Sequence, residues 1–122
     1  MTTATEHHPA QALGRAVSAY EAGNLVEVEQ ICQEIITTNH DLFDALYLLA
    51  VVQSRLEKIE AALATYDRAI NVRPGFAEAH FNRGNVLQAL KRYDEALASY
   101  DRALALRPDF ARALSKRGSS LS

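Results

Sequence analysis

Residues 66–76 of the chain read YDRAINVRPGF, and residues 100–110 read YDRALALRPDF. The second stretch repeats the first after 34 residues, and an alignment of 43–76 with 77–110 shows further identical residues along its whole length. Chance composition does not hold so many identities in one register. The sequence therefore contains an internal repeat with a period of 34 residues.

The period divides most of the chain into similar units. One period towards the N-terminus lies a degenerate copy at 9–42, and one period towards the C-terminus the opening of another copy lies at 111–122. We therefore expect three units, 9–42, 43–76 and 77–110, followed by a partial unit that forms a terminal helix. Residues 1–8 contain no apolar run, and a disordered N-terminal tail is predicted there.

Apolar residues within each unit have the spacing of an α-helix. In the third unit they recur at i, i+3, i+4 and i+7 from Tyr93 to Tyr100, which places them on one helical face. A shorter apolar segment precedes this one, so each period supplies two helices. Pro74 and Pro108 lack an N–H group, and we expect each to end the second helix of its unit. Gly75 is expected to ease the reversal that follows. The chain is predicted to be all-α.

One position of the first unit departs from the pattern. Glu29 stands where the later units have Leu63 and Leu97. Carboxylates are rarely buried. We therefore expect this position to lie near the open end of the first unit.

A 34-residue helix-turn-helix period with small, aromatic and proline residues at fixed places resembles the tetratricopeptide repeat (TPR). The resemblance covers about residues 9–121. It implies a right-handed α-solenoid of antiparallel helix hairpins, with three TPR units and a partial fourth helix. Two helices approach closely only where side chains are small, and a facing tyrosine then fills the hollow. The repeat-packing residues assigned in this way are Ala50, Ala62, Tyr66, Ala69, Pro74, Gly84, Ala96, Tyr100, Ala103 and Pro108.

The resemblance also implies a peptide-binding groove, because the first helices of such repeats line the concave side of the stack. Tyr47 and Phe81 are its expected apolar anchors. The amides of Asn82 and Asn85 are expected to bond a peptide backbone. The predicted lining of the groove is Tyr47, Leu48, Val51, Phe81, Asn82, Asn85, Gln88, Arg112 and Lys116.

The same groove residues have two interpretations. On the first, Arg112 and Lys116 favour an acidic or carboxylate end of the bound peptide. On the second, Tyr47 and Phe81 simply pack between neighbouring hairpins, and the basic residues keep an exposed end soluble. The sequence leaves both open.

The resemblance makes a protein-interaction scaffold without catalytic activity the leading functional prediction. Residues 81–85 read FNRGN, and they are similar to the asparagine-bearing repeats that precede O-linked N-acetylglucosamine transferases. An alternative prediction is therefore the N-terminal substrate-docking region of a longer glycosyltransferase, which the stop inside a recognisable hairpin also favours. Chaperone-binding members of the family clamp a peptide carboxylate with lysine and asparagine, but here Leu13, Val17 and Glu78 occupy such places.

Composition and the remaining candidate residues argue against several other classes. A net charge of −2 argues against nucleic acid as a partner, and the absence of a long apolar run argues against a membrane. No catalytic residue, metal site or cofactor is predicted, because His7 and His8 lack ligand partners at the right spacing and no phosphate loop occurs. Cys32, the single cysteine, excludes an internal disulfide and suits a cytoplasmic location.

The C-terminal end differs from the rest in charge and in apolar cover. Residues 1–60 carry three Lys/Arg and nine Asp/Glu, whereas residues 61–122 carry ten and six, so the halves have net charges of −6 and +4. In the last segment Ala113, Leu114 and Leu121 supply little apolar area to cover the third unit. Self-association through this end is therefore predicted.

Overall fold

A computed structural model describes the backbone of residues 9–121 and the side chains of residues 9–118. Within this range the regular structure consists of seven α-helices, and no strand occurs. The helices are α1 (Pro9–Glu21), α2 (Leu25–Thr38), α3 (Phe43–Arg55), α4 (Ile59–Val72), α5 (Ala77–Ala89), α6 (Tyr93–Leu106) and α7 (Ala111–Leu121). The all-α prediction is confirmed, and the tail predicted over residues 1–8 lies outside the described residues.

The helices pair into hairpins that follow the 34-residue period. α1 and α2 lie within 9–42, α3 and α4 within 43–76, and α5 and α6 within 77–110, while α7 opens the next unit. Consecutive helices pack against each other along the chain, and α3 also touches α5. Each hairpin thus contacts mainly its neighbours in sequence, which is the architecture of a helical-repeat solenoid.

The turn inside each hairpin contains one residue with a left-handed backbone. Gly23, Glu57 and Lys91 have φ angles of 83°, 65° and 62°, and they occupy the same position of successive units. The next N–H group bonds back to the first helix, as in the 2.8 Å bond from Lys58 N to Gln53 O, so each first helix ends in a Schellman motif. Only the first unit uses glycine, which adopts this conformation without strain.

The turn between hairpins follows the proline rule. α4 ends at Val72 and α6 at Leu106, so Pro74 and Pro108 each come two residues after the end of a helix. Gly75 is not in the left-handed region, and no atom lies within 4 Å of a Cβ added to it. The conformational freedom expected from Gly75 is therefore not used, because the left-handed residue belongs to the other turn of the unit.

Two tyrosines fill the space between the paired helices. Tyr66 and Tyr100 are buried, and a Cβ placed on Gly84 would lie 2.5 Å from Cε1 of Tyr100. The Tyr100 hydroxyl lies 2.8 Å from Oδ1 of Asn85 and 2.9 Å from Oε1 of Gln88, to which it donates. The predicted alanine packing residues are also buried, namely Ala50, Ala62, Ala69, Ala96 and Ala103.

Glu29 is not at an open end, and that expectation is wrong. Its side chain is buried, and both carboxylate oxygens lie 2.9 Å from Nζ of Lys58 in the turn of the second hairpin. The position faces the next unit, as its leucine counterparts do. The burial of the carboxylate is compensated by a lysine from that unit.

Ion pairs join neighbouring hairpins at related positions. Arg83 Nε donates to Asp67 Oδ1 at 2.6 Å, which links α5 to α4. Arg117 forms the same pair with Asp101, which links α7 to α6. Both partners are shifted by one period, so the junctions of the third unit with its two neighbours use the same polar contact.

Gly84→Ala is expected to destabilise the chain, whereas Gly14→Ala should stabilise it. Both glycines lie inside first helices, where alanine is favoured by about 1 kcal/mol. An added Cβ meets no atom within 4 Å at Gly14, so only this gain remains there. At Gly84 the buried ring of Tyr100 must move, at a cost of about 1–3 kcal/mol. Urea unfolding followed by circular dichroism measures both effects, and a Gly84→Ala chain as stable as Gly14→Ala would contradict the close packing.

Candidate functional site

The first helices of successive hairpins lie side by side along one side of the stack. Asn82 Nδ2 donates a hydrogen bond of 2.8 Å to the Tyr47 hydroxyl, which joins α5 to α3. Arg112 and Glu78 form an ion pair of 3.0 Å, which joins α7 to α5. We call this side the inner face. It comprises Leu13, Val17 and Tyr20 of α1, Tyr47, Leu48 and Val51 of α3, Asn82, Asn85 and Gln88 of α5, and Arg112 and Lys116 of α7.

The part of the inner face on α1 and α3 is apolar. Val17 is 43% exposed, and Leu48 and Val51 are half-buried. The Arg55 guanidinium lies over the ring of Tyr20 at 5.4 Å from its centroid. These aliphatic side chains form a partly exposed strip that a partner side chain can cover.

Tyr47 belongs to both the core and the inner face. Its ring centroid lies 5.7 Å from that of Phe43, 5.3 Å from that of Phe76 and 6.1 Å from that of Tyr66. Burial, and then the negative charge of Glu78, raise the pKa of Tyr47 to about 12. Tyr47 is thus a packing residue whose hydroxyl end reaches the inner face.

Phe81 lies in the core. It is 4% exposed, with its ring centroid 5.9 Å from that of Tyr100 and 5.0 Å from that of Phe110. The guanidinium of Arg112 covers the ring at 5.0 Å. Phe81 therefore fits the packing interpretation, and its burial leaves little surface for the anchoring role that the first interpretation gives it.

Three amide side chains of α5 form the middle of the inner face. The side-chain oxygens of Asn85 and Gln88 share the hydroxyl hydrogen of Tyr100. Asn82 uses its NH₂ group on the hydroxyl of Tyr47. Within the described residues the NH₂ groups of Asn85 and Gln88 have no partner, so α5 presents hydrogen-bond donors.

The basic residues of α7 are mostly neutralised. Arg112 pairs with Glu78, and Arg117 pairs with Asp101. Lys116 is exposed and has no ion pair within the described part of the chain. Sequence reasoning grouped Arg112 with Lys116 and missed the pairing with Glu78. The available signal was the spacing, since Glu78 stands one period before Arg112.

Other chemically active side chains are buried or isolated. No group of three or more His, Cys, Asp or Glu side chains among the described residues is placed to hold a metal ion. His80 is buried, with Nε2 2.8 Å from the carbonyl oxygen of Pro74. Burial raises the pKa of the Cys32 thiol to about 11. Across residues 9–121 no helix has both the length and the apolar character of a membrane span.

Comparisons with known proteins agree with the repeat pattern. A family profile described as "Tetratricopeptide repeat" matches residues 77–110, and one described as "TPR repeat" matches residues 55–91. The chain is a tetratricopeptide repeat protein. A comparison with curated protein sequences found no match.

Three solved structures resemble this TPR protein over most of its length. An O-GlcNAc transferase mutant from Thermobaculum terrenum is 31% identical over 93% of the chain, with a TM-score of 0.84. A MamA structure is 19% identical over 98% of the chain and 70% of its own length, with a TM-score of 0.93. The first TPR of Spaghetti (RPAP3), bound to an HSP90 peptide, is 19% identical over 92% of the chain and 89% of its own, with a TM-score of 0.88.

These likenesses differ in what they show. At 19% identity, MamA and Spaghetti share the fold with this TPR protein. The transferase shares its repeats at higher identity, but the TPR protein spans only 22% of the transferase chain.

The raised pKa of Tyr47 predicts a stability effect that depends on pH. The folded chain keeps the phenol neutral until about pH 12. In the unfolded chain a tyrosine ionises near pH 10, so between these values the unfolded state binds fewer protons. The contribution of this group to the free energy of unfolding is therefore complete below pH 10 and is lost as the pH rises towards 12.

Tyr47→Phe removes this contribution together with the hydrogen bond to Asn82. At pH 8 we expect the variant to be less stable than the parent by about 0.5–1.5 kcal/mol. The difference should shrink above pH 10, because only the parent loses the tyrosine contribution. Chemical denaturation at a series of pH values measures it. A difference that stays constant up to pH 11 would show that the phenol is not protected.

Proposed function

We propose that this TPR protein is a protein-interaction scaffold whose inner face binds a peptide segment of a partner protein. The observation that carries the proposal is the partly exposed aliphatic strip of α1 and α3, which includes Val17, Leu48 and Val51. Beside it, the amide groups of Asn85 and Gln88 offer hydrogen-bond donors. An extended peptide needs both kinds of contact, since its side chains require apolar cover and its backbone carbonyl groups require donors.

A structural neighbour supports this use of the fold. The first TPR of Spaghetti carries a bound HSP90 peptide and has the same fold. The lysine and asparagine clamp of chaperone-binding repeats is replaced here by residues such as Leu13 and Val17. The peptide recognised by this chain should therefore be more apolar at the end of the face formed by α1.

We further propose that the chain acts by binding rather than by catalysis, in the cytoplasm. Its inner face consists of aliphatic, phenolic, amide and cationic side chains, which bind ligands but offer no activated nucleophile. Cys32 is the single cysteine, and its buried, protonated thiol suits a reducing compartment.

Val51→Glu should abolish peptide binding, while Val26→Glu leaves it intact. Val51 belongs to the aliphatic strip, whereas Val26 is a 58% exposed valine of the second helix α2. A phage-displayed library of random peptides is selected on the immobilised chain, and the enriched peptides are titrated against both variants. We expect a loss of at least about tenfold for Val51→Glu, because a carboxylate is then set against apolar side chains. Selection without enrichment, or equal binding by a folded Val51→Glu chain, would contradict the proposal.

As a second candidate, we propose the N-terminal substrate-docking region of a longer glycosyltransferase. The observation that favours it is the 31% identity to the repeats of the O-GlcNAc transferase over 93% of this chain. Immunoprecipitation of the native protein and measurement of its mass distinguish the two candidates. A native product of 13.5 kDa would remove the second.

We also propose that the C-terminal end associates with a second copy of the chain. Leu46 and His80 are 0% and 9% exposed, because the second helix of each hairpin covers them. Leu114 occupies the same position of α7 and is 53% exposed. A second copy that packs on α7 would cover this leucine, and the small apolar area predicts weak association.

Leu114→Glu is expected to prevent the association. Sedimentation velocity over a range reaching high micromolar concentration should show a growing dimer fraction for the parent chain and a monomer for Leu114→Glu. Val26→Glu is the matched control, because it places the same charge at an equally exposed position away from α7. A parent chain that stays monomeric over the whole range would overturn the proposed association.

A further inference from the structure

The chemistry of the inner face changes in a fixed order along the stack. One row of equivalent positions on successive first helices carries Leu48, Asn82 and Lys116. A neighbouring row carries Val51 and then Asn85. Each row passes from an aliphatic side chain on α3 to an amide on α5, and the first row ends with a cation on α7. A ligand that lies along the rows meets these groups in that order.

The amides in the middle of the face are oriented by the core. Tyr100 has a single hydroxyl hydrogen, which lies between Oδ1 of Asn85 and Oε1 of Gln88 at oxygen–oxygen distances of 2.8 and 2.9 Å. The tyrosine is completely buried, so this arrangement is held by the packing of the hairpin. The oxygens are thereby engaged, and the NH₂ groups remain for a ligand. Donors of this kind favour carbonyl or carboxylate oxygens.

Lys116 supplies the charge at the end of the row. It lies one helical turn after Arg112, whose charge is offset by Glu78 at 3.0 Å. Arg112 also lies over the Phe81 ring at 5.0 Å, so its guanidinium is already engaged on two sides. The ammonium group of Lys116 is exposed and unpaired within the described residues. An unpaired ammonium beyond a set of amide donors attracts a carboxylate.

On the basis of the proposed peptide-binding function, we propose that the inner face selects peptides with a carboxylate about five or six residues from an aliphatic side chain. The carboxylate lies at Lys116, and the aliphatic side chain lies at Leu48 and Val51. Packed helices are about 8–10 Å apart, so α7 lies about 16–20 Å from α3, two helices away. An extended peptide covers about 3.3 Å per residue, which gives the stated spacing.

The peptides enriched from the displayed library test this ligand class. The most enriched peptide is synthesised with a fluorophore and titrated by fluorescence polarisation against the parent, Lys116→Met and Arg102→Met. We expect Lys116→Met to weaken binding by about threefold to tenfold, and more so at low salt. Arg102→Met is the matched control, because it removes an exposed cation from the second helix α6. Its affinity should equal that of the parent.

Changes in the peptide separate the partners of Lys116. Replacing the acidic residue of the peptide by its amide should cost as much as Lys116→Met, and the two changes together should cost no more than one. The carboxylate has two sources, an acidic side chain or the C-terminus of the peptide. An amide-substituted peptide that is truncated at the same position, with a free or an amidated end, distinguishes them.

The outcomes separate the two levels of the proposal. If no peptide is enriched, the peptide-binding function falls and the ligand class falls with it. If peptides bind and are lost with Val51→Glu, but bind Lys116→Met as tightly as the parent, the carboxylate assignment alone is overturned. Enriched peptides without an acidic residue at the stated spacing would overturn it equally.

Discussion

The structure depends on a small residue of each first helix that faces a large residue of the second. In the third hairpin this contact is so close that the ring of Tyr100 occupies the place of a side chain on Gly84. In the second hairpin Ala50 and Tyr66 are buried at the same positions. Because the ring fills the hollow, the remaining alanines of both helices also come into contact, and the hairpin closes without a void. Stability thus arises from contacts between sequence neighbours that recur in each unit.

The same contacts connect the core to the inner face. The buried ring of Tyr100 extends a hydroxyl to Asn85 and Gln88, and the ring of Tyr47 lies in the aromatic core while its hydroxyl accepts a bond from Asn82. The polar groups of the face therefore have their orientation before any ligand arrives. Such pre-organisation lowers the entropy that binding has to overcome. A change in the core is accordingly also a change in the binding surface.

The period and the apolar spacing were sufficient to predict the helices and their pairing, because both depend on residues close in sequence. The contacts between units could not be predicted in the same way. Glu29 finds Lys58, and Arg112 finds Glu78, only once adjacent hairpins are placed next to each other. Phe81 shows the same limit, since an aromatic residue on a first helix can face either a ligand or the following hairpin. Its burial is decided by aromatic and cationic groups of the next unit.

The ion pairs between hairpins have one further consequence. Arg83 contacts Asp67 of the preceding unit, and Asp101 contacts Arg117 of the following one. Segment 77–110 therefore carries complementary charges on its leading and trailing sides. Tandem duplication of this segment would recreate the same pair at every new junction. The solenoid can thus be lengthened by copying a single module, and each copy would extend the reach of its inner face by one helix spacing.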